Sequence, residues 1–142
     1  MMRRIAFAAL ALLSAGGLFA QQLPPGRWWR RPEIVQRLNL SAEQQDRLEA
    51  IFRSAAPDLI DLKAQVDKSN IALRGELDRT QLDRAAIVRI AAQLNQSRGK
   101  LFERELGMLV DMRSVLTDPQ WERMRSELER LQERPRPARP PQ

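Results

Sequence analysis

The residue types that most often do chemistry are scarce in this chain of 142 residues, which has no histidine, no cysteine and no tyrosine. Thiol nucleophiles, serine–histidine arrangements and the usual zinc ligands are therefore excluded. No glycine-rich phosphate loop occurs. Carboxylates are plentiful, but nearly all stand beside arginines or one turn away, as in Glu103/Arg104 and Glu127/Arg130. That pattern describes a solvated charged face rather than an acid–base pair. Met108 and Met112, four residues apart, offer two thioethers to copper(I). On an apolar stripe the same pair reads as core or as an adaptable contact surface. No catalytic centre, metal site or cofactor is expected, and the chain is not expected to be an enzyme.

The one patterned chemistry is hydrogen bonding, and it is written twice. Leu40-Ser41-Ala42-Glu43-Gln44 and Leu116-Thr117-Asp118-Pro119-Gln120 share a leucine, a small hydroxyl residue and a glutamine three positions later. The likeness runs on through Asp46/Glu122, Arg47/Arg123 and Leu48/Met124. Each copy is a capping box. The hydroxyl accepts from the glutamine N–H, and the glutamine side chain returns to the N–H of the capping residue. Leu40 and Leu116 sit just outside and can pack one turn in. Each motif starts a helix, and a folded hairpin between them would bring the two starts together at one end of the subunit.

The elements implied are all helical. Pro32 suits a first turn, with Ile34, Val35 and Leu38 inward over residues 33–38. From Ala42 apolar residues recur at steps of three and four as far as Leu77. Ser69 and Asn70 interrupt that stripe, and Pro57 predicts a kink. Asp83 is placed to cap a second long helix from Arg84 to about Val115. Gly99 and Gly107 within it mark bends or close approach to a neighbour. Trp121, Met124, Leu128 and Leu131 form one stripe on a last helix begun by Thr117. The fold class is all-α, with a hairpin of two long helices. The third helix carries more apolar faces than one antiparallel neighbour can cover, which favours a dimer, an open apolar groove, or both.

The ends differ from the middle. Arg3 and Arg4 precede an apolar run that ends at Ala20, so residues 1–20 read as a cleaved secretory signal peptide. The alternative, an uncleaved anchor, falls short of the ~20 apolar residues that a span needs. Residues 21–31 read as an extended basic arm and 134–142 as a solvated tail rich in proline and arginine. All 18 acidic residues lie between Pro32 and Glu133, the helical domain, which is slightly acidic. The pI of 11.1 therefore reflects the ends. Nucleic acid, which calls for a basic folded face, is not an expected partner. The arms suit solubility, or weak attraction to anionic lipid head groups or acidic clients.

A cysteine-free helical chain with a signal peptide and these two motifs resembles the Spy/CpxP family, known by paired LTxxQ motifs. The likeness spans about Trp28 to Leu131, with Ser41 standing where the motif has threonine. The resemblance implies a periplasmic protein with four helices per subunit in an antiparallel, cradle-shaped homodimer. It also implies holdase activity toward unfolded or misfolded envelope proteins, as in Spy, or restraint of a sensor kinase's periplasmic domain, as in CpxP. Relatives of the ZraP and CnrX type bind zinc, nickel or cobalt through sites that lean on histidine, which this chain lacks.

Under that resemblance Leu101, Phe102, Leu106, Met108, Leu109 and Met112 supply either a client groove or the dimer interface. Arg98, Lys100, Arg104 and Arg113 supply a charged rim. Trp28 and Trp29 either anchor clients from the arm or fold back over the bundle.

Overall fold

A computed structural model describes residues 23–24 and 26–133, with the side chains of 131–133 left aside. The expected signal peptide, the start of the arm and the tail from residue 134 lie outside the described residues. Four helices follow in order: α1 (Pro32–Leu38), α2 (Ala42–Leu77), α3 (Arg84–Val115) and α4 (Asp118–Glu133). A short 3-10 turn, Trp28–Arg30, precedes them.

Local chemistry sets each boundary. Pro32 opens α1 at a position where its missing N–H costs nothing. Asn39 closes α1 in the left-handed region at φ 52°, which its short polar side chain tolerates. Ser41 opens α2 through a complete capping box. Asp83 accepts from the N–H of Ala86 at 3.0 Å and opens α3. Pro57 lies inside α2, which nonetheless runs as one helix of 36 residues. At 1.5 Å per residue that is about 54 Å. Pro57 is exposed, so water can reach the backbone groups that the ring leaves unbonded.

Helices α2 and α3 pack against each other as an antiparallel hairpin. Arg104 reaches across to the Asp58 carboxylate at 3.0 Å and the Ser54 carbonyl at 3.2 Å, and Arg98 reaches Asn70 at 3.4 Å. That register brings the buried Ser69 and Ser97 to one level. Ser69, a break in the apolar stripe when the sequence is read alone, is thus a small residue at a helix–helix contact.

The core gathers at one end. Trp28, Trp29, Leu38, Leu40, Leu48, Met112, Val115, Leu116 and Met124 form one buried cluster. It joins the start of α2 and the end of α3 to α1, α4 and the 3-10 turn. Beyond this base the described hairpin continues as two helices. Ile60, Ile71, Leu77, Leu82, Val88, Phe102 and Leu106 stand exposed along it, and Val110 stands exposed on α3 at the level of the base. Two helices expose most of their circumference, so among the described residues the apolar side chains outside the shared stripe stay largely open to water.

The arm differs from its expected extended form. Gly26, at φ +70°, turns the chain, and the Arg30 and Arg31 N–H groups bond to the Arg27 and Trp28 carbonyls at 3.1 Å. The physical reason is the burial of two indoles, which an extended solvated arm would leave in water.

No atom lies within 4 Å of where a Cβ would stand at Gly99 or Gly107, so neither glycine admits a close neighbour within the subunit. Replacing Gly107 with alanine should raise unfolding stability by about 1 kcal/mol, because the helix gains propensity without a clash. Urea denaturation of the two proteins measures this directly.

Candidate functional site

The two capping boxes meet. Gln44 Oε1 accepts the N–H of Ser41 at 3.0 Å, and Gln120 Oε1 accepts the N–H of Thr117 at 2.9 Å. Ser41 and Thr117 hydroxyls accept in return from the N–H groups of Gln44 and Gln120 at 3.0 and 3.3 Å. The two glutamines then bond to each other. Gln44 Nε2 donates to Gln120 Oε1 at 2.8 Å, and Gln120 Nε2 donates to Gln44 Oε1 at 3.0 Å. Their remaining N–H hydrogens go to the carbonyls of Val115 (3.0 Å) and of Leu38 and Asn39 (3.1 and 3.3 Å). Both amide orientations follow from the backbone, since only an oxygen can accept from Ser41 N–H or Thr117 N–H. The cyclic amide pair thus ties the ends of α1 and α3 to the starts of α2 and α4. Leu40 and Leu116, just outside each cap, are buried in the core.

A second polar cluster lies beside it. Glu49 is buried on α2. Trp29 Nε1 donates to Glu49 Oε2 at 2.8 Å, and Arg53 Nε to Glu49 Oε1 at 3.0 Å. Arg27 and Arg30 approach the same carboxylate at 3.5 and 3.9 Å. Arg30 also meets Asp46 at 3.1 Å, and the Arg27 guanidinium stands 5.4 Å above the Phe52 ring. The Trp29 hydrogen bond, followed by Arg53 and Arg27, holds the Glu49 carboxyl below its ordinary 4.5, against burial, which pushes it up. A lowered folded value means that ionised Glu49 contributes stability in full above about pH 4.5, and that this contribution is lost as pH falls through the folded value.

The other singled-out residues divide. Trp28 and Trp29, each 1% exposed, have no surface to offer a client; they fold back onto the bundle. Met112 is 1% exposed and Leu109 is also buried, so both leave the set proposed as a client or dimer surface. They lie on the α3 face turned toward the rest of the subunit. Met108 packs half-buried against the same core, and Leu101 is half-buried. Phe102 and Leu106 are exposed, at 44% and 39%.

The rim arginines act largely within the fold. Arg104 and Arg98 bridge α3 to α2 as described. Arg113 bonds to the Leu116 carbonyl at 3.2 Å and to Asp118, and lies 5.1 Å above the Trp121 ring. It clamps the α3–α4 corner. Lys100 borders an open polar cleft with Asp58, Asp61, Glu103 and Arg104. Among the described residues no group of three or more His, Cys, Asp or Glu side chains is placed to hold a metal ion.

Sequence reasoning missed the Glu49 cluster. Glu49 follows the inward Leu48 and precedes Arg53 by one turn, which places it near the core edge. Nothing in the spacing links it to Trp29, twenty residues earlier.

The amide pair makes a measurable coupling. Gln120→Leu leaves the Thr117 N–H, two carbonyls and half of each mutual bond unmet, so it should cost about 3 kcal/mol. Gln44→Leu should cost about 2 kcal/mol. The double variant should fall short of the sum by about 1 kcal/mol or more, since the mutual bonds can be lost only once. Chemical denaturation of the four proteins tests this; strict additivity would mean the pair is not coupled.

The chain matches the family described as heavy-metal resistance over residues 5–123. No curated protein matches it, and no solved structure does. The family match covers both capping motifs and both long helices. With a hairpin of long helices closed at its base by paired motifs of the Spy/CpxP type, the chain belongs to the heavy-metal resistance family.

Proposed function

We propose that this protein is an ATP-independent holdase-type chaperone of the periplasm, which binds unfolded or misfolded envelope proteins on the exposed apolar surface of its hairpin. The carrying observation is that surface. Among the described residues, eight large apolar side chains stand exposed, all on the hairpin. Charged residues are interspersed among them, as a reversible binder of partly unfolded chains requires. The chemistry of the donor set argues against a metal role within this family. Histidine and cysteine are absent from the sequence, and the methionine pair is drawn into the core.

The exposed residues fall on two faces. On α3, Val88, Ala92, Asn95, Gly99, Phe102, Leu106 and Val110 are all exposed and follow one another at steps of three and four. That is the seam of a helix pair. The seam has Gly99 at its midpoint, where a Cβ would meet nothing, so an antiparallel second copy crossing there would approach closely. This face supports a homodimer. On α2, Ile60, Ala64 and Ile71 form a separate exposed face, with Leu77 and Leu82 beyond it at the hairpin tip. This face is left for clients.

Light scattering of a reduced or heat-stressed client tests the reading. The purified protein should suppress aggregation, and Ile60→Asp/Ile71→Asp should weaken suppression several-fold without changing the sedimenting mass. Phe102→Asp/Leu106→Asp should instead convert dimer to monomer. No suppression by the unmodified protein at several-fold excess over client would sink the chaperone reading.

A further inference from the structure

The segment before α1 is held to the bundle in two ways that respond differently to acid. Trp28 and Trp29 pack edge to face, with ring centres 5.5 Å apart, and Trp29 lies 5.4 Å from Phe52. That apolar contact is indifferent to pH. The polar contact is not. Among the described residues, the charged groups around the Glu49 carboxylate are Arg27 and Arg30 from the segment and Arg53 from α2, with Asp46 of α2 on Arg30. Three guanidiniums thus converge on one carboxylate. With Glu49 protonated, Arg27 and Arg30 face Arg53 with no negative charge at the point where the three converge. Attraction becomes repulsion.

In the base beneath, the helix starts are capped by groups that do not titrate. The starts of α2 and α4 are capped by Ser41, Thr117, Gln44 and Gln120, all neutral at any pH a protein meets. The ion pairs that acid would break elsewhere, such as Arg37–Glu127, Arg104–Asp58 and Arg113–Asp118, each have one partner more than half exposed to water and so contribute less. Acid therefore acts selectively on the segment. Burial of two indoles is set against the ordering of six backbone residues and two long arginine side chains, so the balance is close.

We propose that residues 26–31 form an acid-released strap, which leaves α2 when Glu49 is protonated and uncovers an apolar surface made of Phe52, Leu48 and the two indoles. The occupant of that surface at neutral pH is the strap itself. Its release is independent of what the hairpin binds.

The test uses the full chain carrying Trp121→Phe, so that emission reports only Trp28 and Trp29. Between pH 7 and pH 3 the emission maximum should move to longer wavelength and the uncharged dye Nile red should brighten several-fold, while helical circular dichroism persists. Glu49→Gln should show the shifted emission already at pH 7 and little change on acidification. Arg27→Gln/Arg30→Gln removes the repulsion and should keep the emission unshifted to lower pH than the parent; this variant serves if Glu49→Gln does not fold. The strap is overturned if emission stays constant until helicity is lost, or if the Arg27→Gln/Arg30→Gln protein shifts at the same pH as the parent.

Discussion

The fold turns on one reciprocal pair of amides. Gln44 and Gln120 each close their own capping box and each complete the other's, while spending their last hydrogens on the carbonyls that end α1 and α3. Helix ends leave backbone groups without partners, and a buried end must find them elsewhere. Here four helix ends meet in one place and two side chains serve all of them. Glutamine is suited to this because an amide both donates and accepts. A carboxylate could accept from the cap but could not donate to the carbonyls. The pairing also explains why a hydroxyl and a glutamine recur at the same spacing in both motifs. The two boxes are halves of one junction.

That junction concentrates order at the base and leaves the rest of the hairpin thin. Around it lie both buried tryptophans, Leu48, Met112 and Met124. Further along, among the described residues, α2 and α3 pack on each other alone, and Ser69 and Ser97 mark how little apolar surface a two-helix contact needs. Ile71 and Leu82 stand exposed on that part of the hairpin. The proposed client and dimer surfaces both rest on this long exposed part of the hairpin.

Several features were legible from local pattern. The bounds of α2 and α3, the caps at Ser41, Asp83 and Thr117, and the end of α1 near Asn39 all follow from residues within one or two turns of each other. The meeting of the two motifs followed from the hairpin between them. Other features were not legible, because they depend on contacts between residues distant in sequence. The amphipathic pattern of α3 made Leu109 and Met112 look like candidates for an exposed surface alongside Phe102. Periodicity alone does not say which of two adjoining apolar faces the rest of the subunit covers. Arg104 and Arg113 looked like a solvated rim, and their partners, Asp58 and the α3–α4 corner, appear only when the helices are in register.

The segment around Trp28 shows the division most plainly. Its proline, glycine and arginine content describes a chain that prefers water, and locally that description is sound. What reverses it is a buried carboxylate twenty residues away, presented by α2 at the distance of an indole N–H. The sequence by itself determined helix type and helix ends and left no histidine or cysteine in the chain, because those depend on side-chain identity and short-range spacing. Only the tertiary structure decided which apolar face is core and which arginines are already paired. It alone decided that Gln44 and Gln120 bond to each other where the caps meet, because each of these depends on the register of long helices against one another.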